Sequence, residues 1–155
     1  MSIDINRRLL TSIVNSFYDP CGLLSALTVQ MKIPLRNLHS QELGLGWDDP
    51  VPENLKQQWV DILTRIKLAE NVTFKRCIKP ANAIGEPMLF ICTDGSEDAM
   101  CATVHIRWNC DDDKVVCQLW TAKTRVTPLK TITVPRIEAT AADIGICLSK
   151  TVRDN

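Results

Sequence analysis

The stretch MLFICTD, residues Met88–Asp94, decides the fold of the C-terminal half of this chain. Its first five residues are apolar or small and carry no charge, a pattern typical of a strand buried on both faces. Asp94 ends the run, and Gly95 opens a turn. A carboxylate near a core needs solvent, a hydrogen-bond donor or a metal ion. Asp94 is therefore the first candidate functional residue, although a turn-capping aspartate is the simpler interpretation.

Two further strands follow this run. Residues 102–108 alternate between apolar and polar side chains, which predicts a half-buried strand. Residues 115–122 form the predicted return strand, and one of its faces is expected to carry Val116, Gln118, Trp120 and Ala122. The acidic run between these strands, Asn109–Asp113, reads as a solvated turn, because a calcium loop requires a more definite ligand spacing. Residues 88–122 therefore predict a three-stranded antiparallel meander.

The segment TITVPRIEATAADIGICLSK, residues 131–150, predicts a C-terminal helix that starts near Pro135. Its predicted buried stripe consists of Ile137, Ala141, Ile144 and Leu148. Ala142 and Gly145 are small, so one side of the helix can approach another backbone closely. Glu138 is expected in the first turn, where the helix dipole favours a carboxylate.

The N-terminal half reads as helical. Apolar residues recur with helical spacing over residues 5–17, 23–39 and 53–68. Asp48 and Asp49 between the last two segments are read as an exposed turn before a helix. The prediction is an α+β chain with two to three helices in residues 1–70, a linker with a short strand-like piece over 71–87, and a meander plus one helix in residues 88–155.

The composition excludes several classes of protein. The chain has 155 residues with 18 basic and 18 acidic side chains, so its net charge gives no argument for nucleic-acid binding. Its seven cysteines include no C-x-x-C pair, which predicts free thiols, several of them packed as small hydrophobic groups, rather than a zinc site. Neither a signal peptide nor a transmembrane run is recognisable, so we expect a reduced intracellular protein.

Asp94 and Glu138 gain significance as a pair. A helix that crosses the sheet after the hairpin can lay its first turns over the end of the first strand, which would bring the two carboxylates face to face. Two close carboxylates repel unless a divalent cation lies between them. Because Mg²⁺ takes one or two protein carboxylates together with substrate phosphate, the pair indicates the beginning of a two-metal site for phosphodiester cleavage.

Four stretches of this sequence resemble the polyprotein of BEL/Pao-type LTR retrotransposons. RRLLTSIVNSFYDPCGLLSALTVQMKIPLRNL and LGWDDPVPENLKQQW resemble the segment after the reverse transcriptase core and the connector that follows it. FICTDGSEDAMCATVHIR resembles the first strands of the ribonuclease H domain, although the family usually has D-A-S where this chain has Asp94-Gly95-Ser96. AKTRVTPLKTITVPRIEATAA resembles the family's K-x-R-V-x-P-L-K…I-P-R-x-E stretch.

The resemblance implies a partial ribonuclease H-like unit. Asp94 and Glu138 would be the first two metal-binding carboxylates, whereas Asp143 should point elsewhere. The family's further acidic residues lie beyond Asn155, so the expected site is incomplete in this chain, and the Tyr-x-Asp-Asp hairpin of the polymerase is absent. In the implied fold the first strand is central and pairs with a fourth strand. Without that strand its edge is open, which predicts marginal stability, self-association, or coverage by the helical half.

Three functions stay open at this point. The first is a nuclease fragment whose parent cleaves the RNA strand of an RNA–DNA hybrid with Mg²⁺, with activity restored if it is part of a longer chain. The second is a non-enzymatic, domesticated remnant that binds nucleic acid or a protein partner through the open sheet edge. The third is a structural domain without a site. The balance favours a remnant with no complete active site.

Overall fold

The computed structural model describes residues 5–40 and 43–153, and the described chain has an α+β fold. Three helices come first, followed by a three-stranded sheet and one last helix. In order, the elements are α1 (Arg7–Ser16), α2 (Ser25–Leu38), α3 (Glu53–Lys67), a 3-10 turn (Leu68–Asn71), β1 (Ala83–Gly95), β2 (Ala99–Cys110), β3 (Val115–Val126) and α4 (Val134–Arg153). The predicted fold class is confirmed. None of the described helices has the length and apolar character needed to cross a bilayer.

The helices α1, α2 and α3 pack around a core of their own. Each contributes one apolar face with helical spacing, as the sequence predicts. The buried members of this core are Leu10, Val14, Met31, Leu38, Val51, Trp59, Ile62 and Ile66. A second buried cluster lies between the sheet and α4 and consists of Met100, Ala102, Ile137, Ala141 and Ile144. Each half of the chain therefore has its own apolar cluster.

The sheet is an antiparallel meander in the order β1-β2-β3. Among the described residues β1 is therefore an edge strand, and the prediction that it is buried on both faces is wrong. Met88 is 52% exposed and Phe90 is 43% exposed. An uncharged apolar run indicates burial of its side chains, but it does not say whether a second strand pairs with the outer edge.

The first strand starts earlier than the sequence predicts. It begins at Ala83, so the last part of the expected linker over residues 71–87 belongs to β1. The pairing with β2 shifts register between Ile84 and Met88, and Gly85 has a φ of +69° at that point. Such a bulge interrupts the regular alternation of side chains, so the start of the strand is not recognisable from the sequence. The strand-like piece expected near residues 72–78 is irregular coil.

A second bulge rearranges the faces of β3. Val104 pairs with Thr121 and His105 pairs with Leu119, which leaves Trp120 as the extra residue. The alternation of side chains resets there, so Ala122 does not share a face with Val116 and Gln118. The predicted single face of β3 is wrong for this reason. A register slip of one residue moves every later side chain to the other side of the sheet.

The helix α4 packs across β1 and β2. Its predicted stripe is largely confirmed, since Ile137, Ala141 and Ile144 are buried and Leu148 is half-buried. The helix begins at Val134, so Glu138 lies in the second turn and not, as expected, in the first. At Gly145 an added Cβ would lie 2.5 Å from Thr93 Cγ2 and 3.1 Å from Ile91 Cγ2. The glycine is therefore needed for the close approach to β1.

The helical half packs along β3 and the β1–β2 turn. The carbonyl of Cys21 accepts a hydrogen bond from the Ala122 N–H at 3.0 Å. The Arg36 guanidinium donates to the Thr127 carbonyl at 2.8 Å and pairs with the Asp98 carboxylate at 3.0 Å. The expected alternative in which the helical half covers the β1 edge is wrong, because these contacts lie at the opposite edge and at the turn.

We predict that Gly145→Val destabilises the fold by about 1–3 kcal/mol, because the added methyl groups overpack the contact with β1. Ala142→Val is the control on the same helix, at an exposed position, where only the small helix propensity cost of valine applies. The measurement is the free energy of unfolding from urea titration followed by circular dichroism. Equal losses for the two variants would contradict the close-packing argument.

Candidate metal site at the open edge of the sheet

Asp94 is the penultimate residue of β1, just before the strand leads into a short hairpin turn. Its side chain is exposed, and its Oδ1 accepts a hydrogen bond from the Gly95 N–H at 2.9 Å. Across the ladder it is paired with Cys101 of β2. An aspartate that bonds a neighbouring backbone N–H is typical of a turn. This bond is to the next residue within β1, whereas the N–H groups of Asp98 and Ala99 in the turn itself are bound by Ser96 Oγ. The bond leaves the second oxygen of Asp94 available for a cation.

The hydrogen-bond pattern of the hairpin shows which way this carboxylate leans. The Ser96 N–H donates to the Ala99 carbonyl at 2.9 Å, so this N–H points toward β2. Backbone groups alternate in direction along a strand, so the N–H of Gly95 points away from β2, toward the open edge. Asp94 Oδ1 binds that outward N–H. The carboxylate consequently lies at the open edge of β1.

The helix α4 passes directly over this end of the strand. A Cβ added to Gly95 would lie 3.1 Å from the carbonyl carbon of Ile137 and 3.2 Å from the amide nitrogen of Glu138. Gly145, which faces Thr93 of β1, comes seven residues after Glu138 and therefore shares its side of the helix. Glu138 is thus on the β1 side of α4, near the tip that carries Asp94.

The two acidic residues approach the edge from different faces of the sheet. Thr93 and Gly95 contact α4, so by alternation the side chain of Asp94 leaves the strand on the other face. A cation held by both Asp94 and Glu138 would therefore lie beyond the open edge of β1 and not beneath the helix. The expectation that the two carboxylates meet face to face is therefore wrong, because they leave on different faces of the sheet. The structure brings β1 and α4 together at this edge, and coordination of a cation by the pair stays a prediction.

Asp143 lies on the other side of α4. It lines a groove of about 240 Å³ between α4 and β3, together with Lys123, Arg125 and Thr140. This position agrees with the expectation that Asp143 points away from Glu138. Because basic side chains line the same groove, Asp143 has counter-charges of its own.

The other acidic runs are engaged by neighbouring residues. Arg8 binds Asp48 through two nitrogens, at 2.8 and 3.0 Å, and this guanidinium lowers the pKa of the Asp48 carboxyl. In the turn after β2, Asp112 pairs with Lys114. Within residues 5–40 and 43–153, no group of three or more His, Cys, Asp or Glu side chains is placed to hold a metal ion. Both runs therefore fit their interpretation as turns.

Two features near β1 and β3 did not follow from the sequence. The first is Cys101: burial raises the pKa of its thiol, and the negative charge of Asp94 raises it further. A two-residue turn between Ser96 and Ala99 fixes Asp94 opposite Cys101, and that spacing could have been read from the sequence. All seven cysteines are free, but only Cys110 is fully buried, so the expectation that several pack inside is wrong for most of them.

The second missed feature is a groove between the coil after α3 and strand β3. Its volume is about 670 Å³, and it combines basic with aromatic side chains. The lining includes Phe74, Lys75, Arg76 and Trp120. Trp120, the extra residue of the β3 bulge, belongs to this lining, and no pattern in the sequence indicates that bulge.

The antiparallel meander followed by a helix across its first strands, with Asp94 at the strand tip, is the arrangement of a partial ribonuclease H-like unit within an α+β chain. The family model described as the Pao retrotransposon-like RNaseH-like domain matches residues 6–155, so this chain belongs to that family. The match includes the three N-terminal helices as well as the sheet. Searches of curated proteins and of solved structures found no significant match.

We predict that Asp94→Asn makes the Cys101 thiol react faster with an alkylating reagent near pH 8. Removal of the negative charge lowers the thiol pKa and increases the thiolate fraction. The measurement is the rate of iodoacetamide labelling at Cys101, read by peptide mass spectrometry. Cys147, exposed on α4, is the internal control. An unchanged rate at Cys101 would show that Asp94 does not act on this thiol.

Proposed function

We propose that this chain is a retrotransposon-derived polyprotein fragment in which Asp94 and Glu138 hold a single Mg²⁺ at the open edge of β1, and that it acts inside the cell. The observation that carries the proposal is the packing of Gly95 against the backbone of Glu138. This contact joins the strand tip to the helix side that bears the second carboxylate. Two carboxylates suit one Mg²⁺ that retains several waters.

Asp94 and Glu138 supply half of the ligands of a two-metal site. When bound, Mg²⁺ stabilises negative charge on a phosphodiester and activates a bound water. Asp94 is preoriented by the Gly95 N–H, and Glu138 is carried by a helix fixed on the sheet by its buried stripe. Two-metal cleavage needs further ligands. We therefore infer that the chain binds Mg²⁺ and RNA–DNA hybrid without appreciable cleavage, and that an active ribonuclease H requires a longer chain.

The finer family assignment is part of the same proposal. The match to the Pao family model covers the helices together with the sheet, and the helices have a separate apolar core. We infer that residues 1–70 are the connector, or thumb-like segment, that follows the reverse transcriptase core in a BEL/Pao-type polyprotein. The sheet and α4 are then the N-terminal half of its ribonuclease H-like domain.

We predict that Mg²⁺ titration shifts the backbone amide NMR signals of residues 93–96 and 137–139. Asp94→Asn and Glu138→Gln should each weaken the response at least about tenfold, because each removes one of two charged ligands. Asp143→Asn is the matched control on the far side of α4 and should leave the titration unchanged. Equal effects of all three variants would indicate diffuse charge screening and not a site.

A cleavage assay on the same variants separates the nuclease hypotheses. A hybrid with labelled RNA is incubated with the chain and Mg²⁺, and product is compared between the unaltered chain and Asp94→Asn. Equal, background-level product supports the incomplete site. Cleavage that Asp94→Asn abolishes would overturn that part of the proposal and establish the enzyme directly.

The groove next to β3 favours a second candidate function, a non-enzymatic remnant that binds nucleic acid. Lys75 and Arg76 lie beside Phe74 and Trp120 in the lining of that groove. Aromatic rings that stack on bases beside basic groups that contact phosphates are the usual elements of single-strand binding. The formal net charge of zero does not oppose this candidate, because affinity depends on the local charge of the patch.

We predict that Lys75→Glu/Arg76→Glu weakens binding of a single-stranded oligonucleotide at least about tenfold. The slope of log affinity against log salt concentration should fall by about 1.4, because each lost phosphate contact on a single strand accounts for about 0.7. The measurement is fluorescence anisotropy over a range of KCl concentrations. Lys130→Glu/Lys150→Glu makes the same charge change at other exposed positions and should have a smaller effect. Similar losses for both double variants would argue against a defined groove.

A further inference from the structure

A polar cavity of about 400 Å³ lies between α2 and β3, at the edge of the sheet opposite to the candidate metal site. The helix contributes Ser25, Thr28 and Lys32, whose spacing by three and then four residues places them on one side of α2. The strand contributes Lys123 and Thr124. The lining shares no residue with the basic and aromatic groove, so this cavity is a separate feature of the molecule.

Two ammonium groups in this cavity have no carboxylate partner. Lys32 is half-buried and Lys123 is exposed, and neither forms an ion pair in the described part of the chain. The cavity contains one carboxylate, Asp19, and one of its oxygens accepts the Leu24 N–H at 2.9 Å. Asp143 lies in the adjoining groove, which shares Lys123. Because a partly desolvated cation without a counter-ion is unfavourable, this cavity suits a bound anion.

Hydroxyl groups in the same cavity lack good partners. Among the described residues, the Thr124 Oγ1 atom is buried and has no hydrogen-bond partner. The Thr28 hydroxyl reaches the Ser25 carbonyl only at 3.4 Å, which is longer than a normal O–H···O bond. A buried hydroxyl without a partner costs free energy, and an acceptor bound in the cavity would remove that cost.

The backbone of β3 and the start of α2 add to the positive character of the cavity. The Ala122 N–H points out of the sheet edge, since it donates to the Cys21 carbonyl at 3.0 Å. Backbone directions repeat every two residues along a strand, so the Thr124 N–H points out of the same edge. The helix α2 begins at Ser25 and has no acidic side chain in its first turn. The positive end of its dipole therefore favours an anion here.

One wall of the cavity is apolar and includes an aromatic ring. Val14, Phe17 and Pro20, from α1 and the segment after it, form this wall, and Phe17 is 37% exposed. The volume lies within the range of small-molecule sites, roughly 300–1,000 Å³, and leaves room for more than a phosphate group. Because aromatic side chains stack on nucleobases, the cavity combines an anion site with a platform for a flat ring.

We propose that this cavity binds a mononucleotide, with its phosphate between Lys32, Lys123 and Thr124 and its base against Phe17. Phosphate oxygens accept charge-assisted hydrogen bonds from both ammonium groups and a hydrogen bond from the Thr124 hydroxyl. The other oxygen of Asp19 suits a ribose hydroxyl, which can donate a hydrogen bond. The ligand would contact both the helical half and the sheet. The inference depends neither on Mg²⁺ at β1 nor on single-strand binding at the basic and aromatic groove.

Isothermal titration calorimetry with three probes tests the two parts of the site. Adenosine 5′-monophosphate should bind one to one with a dissociation constant below about 1 mM. Inorganic phosphate should bind at least about tenfold more weakly, because it lacks the ring contact with Phe17. Adenosine, which has no phosphate, should show no saturable binding. Absence of saturable binding of the nucleotide, or equal affinity for any two of the probes, would overturn the proposal.

Thr124→Val distinguishes a ligand contact from a structural hydroxyl. The variant replaces the unpartnered hydroxyl with a methyl group, so the free chain should be at least as stable in urea unfolding. The dissociation constant of adenosine 5′-monophosphate should nevertheless rise at least about tenfold, and Lys32→Gln should have a similar effect. Lys67→Gln, at an exposed position of α3, is the matched control and should bind like the unaltered chain. Unchanged affinity of Thr124→Val, or equal losses for Lys32→Gln and Lys67→Gln, would overturn the assignment.

Lysine acetylation of the unaltered chain gives a test that needs no variant. Saturating adenosine 5′-monophosphate should slow acetylation of Lys32 and Lys123 by an N-hydroxysuccinimide ester at least about threefold, because a lysine that binds phosphate reacts less readily. The measurement is peptide mass spectrometry, and Lys67 and Lys75 are the internal references. Protection of Lys75 without Lys32 would place the nucleotide in the basic and aromatic groove and overturn the proposal, as would equal rates at Lys32 with and without nucleotide.

Discussion

The contact between α4 and β1 is the constraint on which the candidate site depends. Gly145 and Gly95 each leave no room for a side chain, and they lie about two helical turns apart along the contact. The helix therefore packs closely against the strand at two points. These two contacts fix the distance between helix and strand and the direction of the helix axis. Because Glu138 lies at the contact with Gly95, its distance from the strand tip is set by backbone packing and not by a flexible loop.

The sequence predicted the helices and strands correctly, but it did not predict which of their faces and edges are exposed. The three N-terminal helices follow from apolar residues at helical spacing, and the meander follows from alternation and turn residues. The exposure of Met88 and Phe90 could not be predicted from the sequence. An apolar run shows that the side chains are apolar, but it does not show whether a partner covers the outer edge of the strand. The bulge at Trp120 did not follow either, because a one-residue insertion in the ladder leaves no mark on an alternating pattern.

For the site, the sequence identified residue types and order but not placement. Asp94 at a strand tip and Glu138 near a helix start are visible in the chain, and the structure brings their elements into contact at Gly95. The Asp94 carboxylate extends toward the open edge because it binds the N–H of Gly95. The outward direction of that N–H follows from the pairing across the hairpin. The basic and aromatic groove at Phe74 and Trp120 joins residues far apart in the chain, so periodicity cannot reveal it.

The Arg36 side chain has a consequence for how the molecule folds. It joins α2 to the turn at Glu97 and Asp98 and to the Thr127 carbonyl, across separations of 61 to 91 residues. Contacts of this range form late, because the entropy of closing long loops must be overcome first. The hairpin that carries Asp94 and the N-terminal helices can each form early from local contacts. Their docking through the Arg36 guanidinium and the Cys21 carbonyl then couples the two units into one cooperative transition.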